Sequence, residues 1–196
     1  MAFLNDASIR EALIRRLRSM SKTPRVVLEE LRVHNGNAIA DVVAINDFAH
    51  CYEIKGDNDS ILRAVKQSHY YDLVFRRTTL VTTEKHLQRA LLLVPTHWGL
   101  ICARLRNQDV KLSYVRAARN SLGFDKKLAV MTLWKSEMVE VATPLNIKNA
   151  NKLNREQLSE AIASNFSADD LVKSIGNSLT LRAGLNREIS QHVGYM

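Results

Sequence analysis

Apolar residues recur at Ile9, Leu13, Leu17 and Met20, while Arg10, Arg15, Arg16 and Arg18 fall between them. That spacing predicts an amphipathic helix over 6–21, with Ser8 and Glu11 as its capping box. Pro24 ends the helical pattern. From residue 26 the chain turns to β-branched and alternating runs: "VVLEELRV" (26–33), "AIADVVAIN" (38–46) and "AHCYEIK" (49–55). Asn35-Gly36 supplies the positive φ angles of a tight hairpin turn, and a short turn around Asp47 follows, so 26–55 is expected as an antiparallel meander. Asp57 or Asp59 is the expected cap of a helix over 60–74, and "RTTLVTT" (77–83) reads as a returning strand. A helix near 84–91 and the apolar "GLICARL" (99–105) add one more crossover. Beyond about residue 110 the periodicity is helical, over 125–140, 154–164 and 168–190, with Asn154–Gln157 and Ser167 as caps and 144–155 as the candidate linker. The fold expected is α/β: helix, three-strand antiparallel meander, helix and strand, with a helical C-terminal appendage.

Composition adds little to this order but narrows the class. The 196 residues are 46% hydrophobic and 24% charged, as in a globular protein. Lys and Arg number 28 against 20 Asp and Glu, and the formal charge of +8 favours partners that carry phosphate. Cys51 and Cys102 stand alone in apolar runs, which excludes a disulfide framework and a zinc ribbon and suits a reducing cytoplasm. No apolar run is long enough to cross a bilayer, and the N-terminus lacks the core of a signal peptide, so a cytoplasmic location and no membrane partner are expected. The six histidines are scattered without zinc-ligand spacing. Trp98 and Trp134 read as packing aromatics and not as base-stacking platforms.

Charged residues inside the meander carry the candidate chemistry. Opposed residues of an antiparallel hairpin share a face, so each turn selects neighbours. A turn centred between Asn35 and Gly36 places Asp41 opposite Glu30 and not Glu29. A three-residue loop centred on Asp47 places Asp41 opposite Glu53 as well, with Lys55 on the same face. A two-residue loop there would send Glu53 to the other face. Three neighbouring carboxylates repel, and at least one pKa rises, at about 1.4 kcal/mol per unit, unless a cation intervenes. Mg2+ or Mn2+ is the matching ion for carboxylate and carbonyl oxygens.

Asp41, then Glu53-Ile54-Lys55, on the second and third strands of this core resemble the D…(D/E)-x-K signature of the PD-(D/E)XK nucleases, the restriction-endonuclease-like superfamily. The likeness covers residues 5–105. Gln67 and Tyr71 are similar to the Q-x-x-x-Y element of the branch that includes the RecB nuclease domain, and the stretch from Glu29 to Phe75, with "VPTHWGL" after it, looks like a group of small stand-alone bacterial proteins. The resemblance implies a nuclease-like core over 1–110 with a mainly helical region over 111–196. It implies a Mg2+- or Mn2+-dependent phosphodiesterase in which Asp41, Glu53 and the Ile54 carbonyl hold the metal. Glu30 would serve a second metal or orient water, Lys55 the nucleophile, and Gln67 and Tyr71 would support the site. Ala40 stands where the name-giving proline would be.

DNA is the expected substrate ahead of RNA. Arg15, Arg16, Arg76 and Arg77 are candidate backbone contacts, and a homodimer or a protein partner would use the C-terminal helices. Repair, phage processing, defence and toxin-like activity all fit. The competing reading from another class is an inactive nucleic-acid- or protein-binding module that keeps the fold.

Overall fold

A computed structural model describes residues 3–193. Helix α1 (Asp6–Arg18) precedes the meander β1 (Val26–Val33), β2 (Ala38–Ile45) and β3 (Ala49–Lys55). Then come α2 (Ile61–Val74), β4 (Arg77–Thr83), α3 (Glu84–Leu93), β5 (Gly99–Arg106) and β6 (Asp109–Arg116). The chain ends in α4 (Lys126–Val130), α5 (Lys135–Ala142), α6 (Arg155–Asn165) and α7 (Ala168–Val193). The six strands form one mixed α/β sheet in sequence order, with β3, β4 and β5 parallel and the remaining pairs antiparallel.

Alternation within the strands divides the core between two faces. One face buries Val42, Ala44, Tyr52, Ile54, Val81 and Ile101 beneath Ile9, Leu13 and Leu17 of α1. The other packs Val43, Cys51, Leu80 and Leu100 against Tyr71 of α2, Trp98 and the C-terminal residues Leu133, Met138, Leu158 and Leu171. Met20 lies past the end of α1 and is exposed.

Both predicted turns form. Asn35 and Gly36 take φ of 57° and 88°, and Val33 pairs with Ala38 around them. Ile45 pairs with Ala49, which leaves the three-residue loop centred on Asp47. Caps differ at two helices. Asn5, not Ser8, caps α1, its Oδ1 accepting the Ser8 N–H at 2.9 Å. Ser60 holds the N-cap position of α2, while Asp57 accepts the Leu4 N–H at 2.9 Å and Asp59 the Gly56 N–H at 2.7 Å. Instead of capping, Asp57 ties the loop after β3 to the N-terminal segment and Asp59 closes a turn within that loop. The Asn154–Gln157 capping box and the Ser167 cap are present.

Strand β6 was not expected. Asn107 and Gln108 form its hairpin with φ of 50° and 64°, and neither is the glycine that usually announces such a turn. As an edge strand it is mostly half-buried or exposed, so its alternation is weak. The expected helix over 125–140 is two helices that break at 131–134, and 144–155 packs Leu145, Ile147, Ala150 and Leu153 onto the core.

Candidate active site

β2 and β3 pair from Ile45↔Ala49 to Val42↔Tyr52 and then part, β2 continuing along β1 and β3 along β4. Asp41 and Glu53 sit where the strands fork. The Asp41 Oδ2 accepts the Ile54 N–H at 2.7 Å, so a side chain replaces the backbone acceptor that the ladder no longer supplies. Glu53 is buried. Its Oε1 accepts from Lys55 Nζ at 2.5 Å and its Oε2 from the Tyr71 hydroxyl at 2.8 Å, while that hydroxyl also lies 2.7 Å from the Ile39 carbonyl. Lys55 Nζ further donates to the Ile54 carbonyl at 3.1 Å.

The buried Glu53 thus holds the Lys55 ammonium, and the half-buried Asp41 stands beside it without a direct contact to that lysine. Burial, and next the charge of Glu53, push the Asp41 carboxyl up to about 7, against the opposing pull of the Ile54 N–H and Lys55. Burial and Glu53 likewise push the Tyr71 hydroxyl up, which keeps it a donor.

β1 is irregular beside Asp41. Leu31↔Ala40 and Glu29↔Val42 keep the predicted register, yet Glu30 between them adopts φ 54°. A left-handed non-glycine residue costs roughly 1 to 3 kcal/mol. On both strands the core-facing positions shift by one here, from Val43 and Ile45 to Ala38 and Ala40, and from Val26 and Leu28 to Leu31 and Val33. The expectation that Glu30 joins the carboxylate cluster is therefore corrected: its side chain is 72% exposed, and Arg10 lies between it and Asp41. The Arg10 guanidinium is 2.9 Å from Asp6, 3.7 Å from Glu29, 3.5 Å from Glu30 and 3.6 Å from the Asp41 carboxylate. Sequence reasoning did not single out Arg10 for the site. Its signal was a single arginine beside the buried Ile9, one helical turn after Asp6.

The other expected residues fall elsewhere. Gln67 is half-buried one turn before Tyr71, and among the described residues its side chain makes no hydrogen bond. Arg15 pairs with Asp109 at 2.8 Å, and Arg16 donates to the Leu112 carbonyl at 2.6 Å and covers the Tyr114 ring. Arg76 pairs with Asp169 at 2.9 Å, and Arg77 donates to Asn120 at 3.1 Å and covers Phe48. All four tie elements together away from the fork. Trp98 is buried, as expected, and donates to Asp72 at 2.7 Å. His50 is half-buried, stacked on Tyr52, and its pKa is lowered to about 4 by desolvation and next by Arg77.

Among the described residues no group of three or more His, Cys, Asp or Glu side chains is arranged to hold a metal ion. The set at the fork is smaller: Asp41, Glu53 and the Ile54 carbonyl. It fits a hard divalent cation on one observation, that Glu53 Oε1 and the Ile54 carbonyl already converge on the Lys55 ammonium at 2.5 and 3.1 Å. No helix among the described residues is long and apolar enough to cross a membrane.

No solved structure matches the chain. Protein cII of Enterobacteria phage P4 is 25% identical over 156 residues, covering 80% of this chain and 59% of that protein, so the chain spans less than two thirds of its relative. The family model described as bacteriophage P4 protein cII matches residues 2–186, and the chain belongs to that family.

Proposed function

We propose that the chain is a divalent-metal-dependent nuclease with a restriction-endonuclease-like core, hydrolysing phosphodiester bonds in DNA. The observation that carries this reading is the fork: Asp41 and Glu53 brought together on parting strands, with Asp41 pushed up to about 7. A fold gains nothing in stability from a half-buried carboxylate beside a buried one that repels it; a cation between them turns the cost into affinity. The order helix, antiparallel meander, helix and parallel strand, with Lys55 two residues after Glu53, supports the same reading.

Asp41, Glu53 and the Ile54 carbonyl would hold Mg2+ or Mn2+, and the ion supplies charge on a phosphate oxygen and acidifies water. Lys55 stands within reach to hold the attacking water and to face the charge that grows on the phosphoryl oxygens. Tyr71 fixes the Glu53 carboxylate through Oε2, which leaves Oε1 for the cation side. Incubation of the protein with Mg2+ or Mn2+ and single- or double-stranded DNA and RNA tests the reading. Cleavage of DNA that is lost in Asp41→Ala and Lys55→Ala is expected; undiminished cleavage in both variants would overturn it.

The second reading, an inactive binding module with this fold, has Arg10 in its favour. That guanidinium already sits within 4 Å of Glu29, Glu30 and Asp41 and supplies positive charge without a metal. Calorimetry separates the two readings. The nuclease reading expects Mn2+ binding that Asp41→Ala removes, and the module reading expects none in either protein.

A further inference from the structure

A cleft of about 560 Å3 runs between β1 and the corner joining α4 to α5, within the size range of ligand sites. Leu28, Leu31, Trp134, Arg32, Arg155 and Arg182 are among the residues that line it. Trp134 is 55% exposed, unlike the buried Trp98. Its backbone N–H donates to Glu137 at 2.6 Å, and the Arg182 guanidinium lies 4.4 Å from the ring centroid. Arg182 spends its charge on Glu137. Arg155 and Arg32 do not: Arg155 donates only to the carbonyls of Met131 and Leu133, at 2.7 and 3.0 Å, and Arg32 makes no ion pair among the described residues. One end of the cleft is Glu29 and Glu30, which Arg10 links to Asp41.

We propose that this cleft binds a single-stranded nucleic-acid segment, with one base stacked on Trp134 and neighbouring phosphates on Arg32 and Arg155. An exposed indole beside guanidiniums with uncommitted charge is the combination that grips unpaired bases, because a base offers its π-face only when it is out of a duplex. A protein partner would call for a continuous apolar wall, and here the aliphatic lining, Leu28, Leu31, Met131 and Leu133, is shared with Arg32, Arg155 and Arg182. The inference rests on the nuclease reading for its choice of ligand: the strand leaving the cleft passes the acidic edge of β1 toward Asp41.

The test needs no cleavage. In EDTA, the intrinsic fluorescence of the full chain is titrated with a single-stranded oligothymidine of about 12 nucleotides and with a blunt duplex of equal length. Trp134 is the exposed one of two tryptophans, so its quenching reports the site. Saturable quenching by the single strand is expected; read by the anisotropy of a dye-labelled oligonucleotide, which needs no tryptophan, Kd is weakened about tenfold in Trp134→Ala and largely restored in Trp134→Phe. Arg32→Ala should lower the slope of log Kd against log salt by about one phosphate contact. Unchanged single-strand affinity in Trp134→Ala, or duplex bound as tightly as the single strand with no quenching, overturns the proposal. Oligonucleotide binding that survives while no protein ever cleaves DNA defeats the nuclease reading and leaves the cleft; metal-dependent cleavage with affinity indifferent to Trp134 does the reverse.

Discussion

Two buried glutamates divide the molecule's electrostatics. Glu137 faces the Arg182 guanidinium, which contacts both carboxylate oxygens, while the Trp134 N–H adds another donor. Negative charge is matched there and every oxygen is satisfied, which is what a structural ion pair requires. Glu53 has only Lys55 and Tyr71, and Asp41 stands beside it with no cation closer than Arg10 at 3.6 Å. One corner is balanced and holds α5 to α7. The fork carries surplus negative charge, and the proposed cation site rests on that surplus, not on burial alone.

The contrast breaks first at the balanced corner. Arg182→Ala leaves Glu137 buried and unpaired, and a loss of about 3 to 5 kcal/mol in chemical unfolding is expected. At the fork the sign reverses. Asp41 is raised from its ordinary value to about 7, so the folded state holds the proton more tightly. Its cost to stability is absent below the unfolded pKa, grows as pH rises toward 7, and is complete above it. Asp41→Asn should therefore stabilise the protein by roughly 2 to 4 kcal/mol at pH 8, at about 1.4 kcal/mol per unit, and by little at pH 4. Paired denaturation curves at the two pH values check this; equal effects at both would place the repulsion elsewhere. Tyr71→Phe strips a donor from Glu53 and should cost about 1 to 2 kcal/mol. Arg15→Ala, which breaks an exposed pair with Asp109, should leave the unfolding midpoint unchanged.

The alignment of Asp41 with Glu53 was legible because two short loops set it. Asn35-Gly36 centred one hairpin and the loop at Asp47 proved to have three residues, so counting from each turn reached the right neighbours. Counting failed at Glu30, since its left-handed backbone shifts the faces of both strands while leaving their register intact. Its one trace in the sequence is the step of three from Leu28 to Leu31 across Glu29-Glu30, which period-two counting passes over. Arg10 escaped because the strand a helical side chain meets depends on how α1 docks. β6 escaped because its turn is Asn107-Gln108, without glycine, and its strand is an edge. Trp134 was expected as a core or domain-packing aromatic, but the break at 131–134 leaves it exposed, and a helical period continued across 125–140 hides that break.

The central claim is that the charge surplus at Asp41 and Glu53 is a cation site, and thermal unfolding against Mn2+ concentration tests it most directly. A ligand that binds only the folded chain raises Tm with its concentration. The account predicts that Mn2+ raises Tm of the natural protein at pH 8 and leaves that of Asp41→Asn unmoved. An equal rise in both proteins, or none in either, would contradict it.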